Sequence, residues 1–140
     1  MDNRLIFWPA LAMVVLVAIV TFRMFFERKR QVIAERIPLR EMQSGSKMAT
    51  RLADMRAADN YRNLFEAPVL FYLALCVAFM VGDITPTVLG LAWAYVALRY
   101  LHSWIHCGYN RIKHRLYVFF AGNLVLWALW GVLAASWLRA

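Results

Sequence analysis

Arg99, His102 and His106 stand three and four residues apart in the stretch RYLHSWIHCGYNRIKHR, residues 99–115, which follows directly on the apolar run TVLGLAWAYVAL. A guanidinium and two imidazoles are costly in apolar surroundings unless they pair or line a polar cavity. On a helix turning ~100° per residue, Arg99, His102, His106 and Asn110 fall within an arc of about 80°, and Tyr95 lies one turn deeper on the same face. A second set, Arg56, Asp59, Asn63 and Glu66, makes an equally narrow arc earlier in the chain. The simplest arrangement turns the two faces toward each other, with Glu66 opposite Arg99. That pairing has two readings, an ion pair that fixes helix register or a site for a ligand. Two histidines at i, i+4 also suit a metal held from one helix face. The chain has only three histidines, and the nearby sulfur and carboxylates complete no recognisable ligand set, so neither metal nor haem is expected.

The elements that must position these side chains are read from hydropathy. The chain has 140 residues, of which 63% are hydrophobic, and its mean hydropathy is +0.54, well outside the soluble globular range. Four windows, 5–26, 64–81, 87–107 and 116–138, are apolar and long enough for a hydrocarbon core that takes about 20 helical residues to cross. The sequence therefore predicts an all-α integral membrane protein, a single four-helix bundle over residues 1–140. The first window is too long for the apolar region of a cleaved signal and is read as a retained anchor. Thirteen of the 16 Lys and Arg residues lie in two segments, ten in residues 23–62 and three at Arg111, Lys113 and Arg115. The positive-inside rule makes both segments cytoplasmic and puts both termini on the other side. The expected location is a membrane crossed several times, the inner membrane if the source is bacterial. The net charge of +8 is explained by topology and anionic headgroups, and no nucleic-acid partner is expected.

Smaller features complete the reading. Residues 43–52 suit a flexible loop. Cys76 and Cys107 are expected to be free packing thiols, Pro68 to weaken or kink the second span, and Asn123 to make a helix-to-helix hydrogen bond. Gly108 and the polar turn after it predict a break, so that Arg115 opens the fourth helix and folds back toward the same pocket.

RNLFE, at residues 62–66 after a basic segment, combines with R-x-x-H-x-x-x-H and with a further arginine, Arg115, sixteen residues beyond Arg99. In a chain of four spans this combination resembles the MAPEG family of microsomal glutathione transferases, leukotriene C4 synthase and prostaglandin E synthase. The resemblance implies a homotrimer of four-helix protomers that holds glutathione between adjacent subunits near the cytoplasmic face. It implies glutathione contacts for Asn63 and Glu66, with Arg62 as the basic residue before them, and matches Arg99 and His102 to the third-helix Arg and the His or Tyr one turn later. His106 stands where the eukaryotic synthases carry Tyr, and Arg115 matches the arginine beside the thiol. Two positions depart from the pattern: Asp59 stands where several members have arginine, and Leu116 replaces a polar neighbour of the catalytic arginine.

The chemistry these residue types perform can be stated from their properties. A thiol with a pKa of about 8.5 is mostly protonated at neutral pH, and a neighbouring guanidinium favours the nucleophilic thiolate; Arg115 is the candidate for that catalytic role. A tripeptide with two carboxylates and one ammonium needs cationic donors and a carboxylate, which Arg56, Arg62, Arg99, His102, His106 and Glu66 supply. The electrophile would come from the lipid, so the expected activity is a glutathione transferase or peroxidase of the detoxifying kind. The alternative is a non-enzymatic four-helix carrier or scaffold with an intramembrane Glu, Arg and His network. A transporter places its charges near the midplane and often shows inverted halves, and this chain shows neither.

Overall fold

The computed structural model describes residues 2–38, 40, 43–45 and 50–138. Of the loop expected at 43–52, residues 46–49 lie outside the described residues. A short 3-10 turn, Asn3–Ile6, leads into α1, Phe7–Ala34. There follow α2, Arg56–Asn63, α3, Ala67–Val81, α4, Pro86–Cys107, and α5, Ile112–Trp137.

Local chemistry sets the ends of these helices. The Asp2 carboxylate accepts from the Arg4 N–H at 2.9 Å, and Pro9 sits in the first turn of α1, where a missing N–H costs no hydrogen bond. Gly82 closes α3 in the left-handed region at φ 76. Thr85 caps α4 by accepting from the Val88 N–H at 3.2 Å, and Pro86 follows as its first residue.

Two boundaries differ from the hydropathy reading. α1 continues eight residues past the expected end at 26, because helix-forming side chains such as Glu27, Arg28, Lys29 and Arg30 extend it once the apolar run stops. Its 28 residues span about 42 Å at ~1.5 Å each, more than a hydrocarbon core of ~30 Å, so one end stands clear of it. Pro68 does not kink a helix; the chain breaks at residues 64–66 and Pro68 opens α3 in its first turn.

The core is built from one stripe of each long helix. Met13, Leu16 and Val20 of α1, Phe71, Ala74 and Ala78 of α3, Val88, Ala92, Tyr95 and Val96 of α4, and Leu126, Leu129 and Leu133 of α5 are buried together, at the i, i+3, i+4 and i+7 spacings of a helix face. The other faces carry exposed large apolar side chains, among them Phe22, Phe25, Leu124 and Trp127, as a lipid-facing surface does. Three stretches, Asn3–Ala34, Arg56–Val81 and Ile112–Trp137, are long and apolar enough to cross a membrane. The fourth expected span, α4, has the length, at 22 residues, but its polar side chains exclude it by composition. α4 buries them inside the bundle, packed most extensively on α5. The protein is an all-helical membrane protein.

Polar stitches tie the helices at both ends. The Tyr100 hydroxyl donates to the Ala12 carbonyl at 2.7 Å, the Trp130 indole N–H to the Leu70 carbonyl at 3.2 Å, and Ser136 to the Asp83 carboxylate. Asn123 bonds the Phe119 carbonyl of its own helix at 3.0 Å rather than a neighbouring helix. At the overhanging end of α1 the Gln31 amide bonds both backbone groups of Asp54, accepting from its N–H at 2.9 Å and donating to its carbonyl at 3.0 Å. Both cysteines are free, Cys76 exposed and Cys107 buried.

Asp54 precedes α2 and is paired with Arg56 at 2.6 Å, and the hydrogen bonds from that guanidinium hold its carboxyl down at about 2. A carboxyl whose folded value lies below its ordinary 3.8 adds stability above about pH 4 and loses that contribution as the pH falls toward 2. Asp54→Asn is therefore expected to cost about 1 kcal/mol at pH 7, since the pair is part-exposed. Melting of the two proteins in detergent should converge as the pH is lowered from about 4 to 2; a gap that stays constant would assign the cost to something other than charge.

Candidate functional site

α4 turns one polar face inward. Tyr95, Arg99, His102 and His106 are all buried, Arg99 with only 2% exposed. Helical spacing alone brings them into line, and α5 covers them with Phe119. The Arg99 Nε–H donates to the Tyr95 hydroxyl at 2.9 Å, and its guanidinium carbon lies 5.1 Å from the Tyr95 ring centre and 5.4 Å from that of Phe119, within cation–π range. Phe71 of α3 stacks on Tyr95 at 4.5 Å. His102 meets His106 edge-on with ring centres 5.5 Å apart and lies 5.8 Å from Phe119.

Arg115 sits in the first turns of α5, and its Nη1 lies 3.0 Å from His106 Nε2 and 3.1 Å from Asn110 Oδ1. Because an arginine stays protonated, Nη1 is the donor in both bonds; His106 is then neutral at Nε2 and carries its proton on Nδ1. Within this cluster Arg99 Nη2, both ring nitrogens of His102 and His106 Nδ1 are buried without a hydrogen-bond partner. Buried polar atoms are seldom left so. An anion or a small polar ligand would satisfy the donors among them.

The turn that joins the two helices is held from outside. A Cβ on Gly108 would lie 2.7 Å from the Trp104 carbonyl oxygen, so no other residue fits there without a backbone shift. Asn110 adopts φ 49, a left-handed conformation that asparagine tolerates better than most residues. Helix ends leave carbonyls unpaired, and here two arginines take them: Arg23 of α1 donates to the Cys107 carbonyl at 2.6 Å and Arg56 of α2 to that of Gly108.

The expected site residues therefore separate into groups. Arg99, His102, His106 and Arg115 meet between α4 and α5. Arg62 and Glu66 line a different cavity, of about 420 Å³, with Met24, Arg28, Ala58, Tyr61 and Phe65, and Asn63 is half-buried beside them. Arg56 joins neither group, being engaged by Asp54 and the Gly108 carbonyl. The expected pairing of Glu66 with Arg99 is absent: Glu66 is exposed and makes no ion pair among the described residues, while Arg99 turns to Tyr95. The physical reason is register. α2 buries Ala57 and Asn60, and Leu64 at its C-cap is buried on the same side, the face beside the polar arc, and the break at residues 64–66 carries Glu66 out of line.

That register exposes a residue which the polar arc hid. Asn60 is fully buried, accepts from the Ser103 hydroxyl at 3.3 Å and donates to Cys107 Sγ at 3.4 Å, locking α2 to α4. The signal was the spacing Ala57, Asn60, Leu64, i, i+3 and i+7, in which a polar residue occupies a core position. Arg28 contributes a buried Nε without a partner beside the Glu66 cavity, and Asn110 fixes Arg115; neither role follows from residue type or spacing.

No curated protein and no solved structure matches the chain. The MAPEG family model matches residues 6–135, nearly the whole chain and every element that builds the cluster, so the protein belongs to the MAPEG family.

Proposed function

We propose that the protein is a membrane-embedded, glutathione-dependent transferase or peroxidase that acts on lipophilic electrophiles. MAPEG membrane proteins include glutathione transferases and related enzymes, and the observation that carries the reading is the cluster of buried Arg99, His102 and His106 with half-buried Arg115, in which donor atoms are left over. Two guanidiniums with no carboxylate bonded to either among the described residues suit an anionic ligand. Arg115 stabilises the glutathione thiolate, which attacks an electrophilic carbon or a peroxide oxygen. The leaving group departs as halide, or as an alkoxide that takes up a proton.

The homotrimer belongs to the same proposal. In one protomer the cavity of Arg62 and Glu66 and the cluster of Arg115 are separate groups. A second copy docked against the first would let one protomer's cavity and its neighbour's arginine share a ligand that has charges at both ends. The basic loops would face the cytoplasm, and both termini the opposite side. The overhanging end of α1 then lies among anionic headgroups on the site's side.

Isothermal titration of the detergent-purified protein tests the reading, with glutathione run beside an analogue in which the thiol is replaced by hydrogen. Similar binding of both supports a peptide-recognising pocket, and binding of neither returns the protein to the carrier or scaffold reading. In the same titration Glu66→Gln should weaken glutathione about 10- to 100-fold, the worth of one hydrogen bond to a charged group. Its melting temperature should stay close to that of the native protein because Glu66 is exposed and its carboxylate makes no ion pair among the described residues. Native affinity in this variant would remove Glu66 from the site.

A further inference from the structure

We propose that Asn110 is a positioning residue for Arg115, which it holds by one edge of the guanidinium so that the other edge faces the ligand. The inference rests on the glutathione reading above. An arginine has five N–H donors, two of them on Nη1. One Nη1 hydrogen goes to His106 Nε2 at 3.0 Å and the other to Asn110 Oδ1 at 3.1 Å. The Nε–H and the two hydrogens of Nη2 have no partner among the described residues. The guanidinium is thus tethered on one side and open on the other, as a group that meets a ligand must be.

The backbone explains why the tether is an asparagine. Residue 110 lies at φ 49, where glycine and asparagine are the residues that fit most easily. Its N–H reaches back to the Ile105 carbonyl at 2.9 Å, which closes the turn against α4. Glycine would supply this backbone without the amide oxygen. The turn itself is pinned, with Gly108 tight against Trp104 and the Cys107 and Gly108 carbonyls bound by Arg23 and Arg56. Asn110 therefore transmits the position of a pinned turn to the one side chain that activates the thiol. His106 supplies the second half of the clamp from α4, and neither residue needs to touch the electrophile.

The test compares Asn110→Gly with Asn110→Ala in the full-length protein. Asn110→Gly keeps the left-handed backbone and removes only the oxygen, so its melting temperature and glutathione affinity should stay near the native values. Its kcat with a generic aryl halide should fall about tenfold, a modest misplacement of a reacting group. The ultraviolet absorbance of bound thiolate should appear only at a pH about one unit higher than in the native protein, since each unit is a tenfold change in population. Asn110→Ala should show the same alkaline shift and, in addition, a lower melting temperature from strain at positive φ. If Asn110→Gly matches the native protein in both kcat and thiolate pH profile while Asn110→Ala is impaired, residue 110 serves the turn alone and the proposal is overturned. If the native protein binds no glutathione or forms no thiolate, the glutathione reading fails and this inference with it.

Discussion

Arg115→Leu is expected to lower turnover with a generic electrophile by about 100-fold, equivalent to roughly 2.7 kcal/mol of barrier, while much of the glutathione affinity remains. The geometry explains the split. Arg115 is bound on one edge by His106 and Asn110, and its other edge is left open to a ligand. Leucine has a similar volume but offers no charge, so the bound thiol would return toward its ordinary pKa of about 8.5 and be mostly protonated at neutral pH. Thiolate absorbance should vanish with the rate. Arg111→Leu is the matched control: Arg111 is exposed, at the N-cap position of α5, and its side chain forms no capping bond. Persistence of thiolate in the Arg115 variant, or its loss in the Arg111 variant, would move the activating charge elsewhere.

Phe71→Ala should destabilise the detergent-purified protein by about 3 to 5 kcal/mol, the range for emptying an aromatic site in a core. Phe71 is fully buried and stacked at 4.5 Å on Tyr95, whose hydroxyl takes the Nε–H of Arg99. Loss of the ring therefore opens a void and frees the platform that carries a buried cation. In lipid the driving force is packing rather than release of water, so the void dominates the cost. Phe71→Leu, which keeps most of the volume, should recover more than half of it in thermal unfolding. Equal losses in the two variants would mean that the stacked ring, rather than its volume, is what the fold requires.

Much of this arrangement was legible before any coordinates. The inward face of α4 followed from spacing, because residues at i, i+3 and i+7 share a side whatever they pack against. Arg115 at the start of a helix followed from Gly108 and a polar turn. Facing partners were not legible. α2 has polar residues on most sides, so its buried stripe of Ala57, Asn60 and Leu64 offers little contrast with the arc of Arg56, Asp59, Asn63 and Glu66. The end of α1 was misplaced because hydropathy marks where lipid stops, not where backbone hydrogen bonding stops. The contact of Arg56 with the Gly108 carbonyl joins residues 52 positions apart, a separation that no local pattern encodes.

The two arginine caps on α4 also join distant parts of the chain. α4 and α5 emerge together and can pair as soon as both are inserted. The Cys107 carbonyl, however, waits for a guanidinium 84 positions earlier in the chain, and a backbone acceptor left bare at the edge of a bilayer is unfavourable. Pairing of α4 with α5 therefore does not by itself satisfy the turn between them, which takes two of its bonds from α1 and α2. The turn that carries Asn110 is thus a long-range feature of the fold, although its own residues are contiguous.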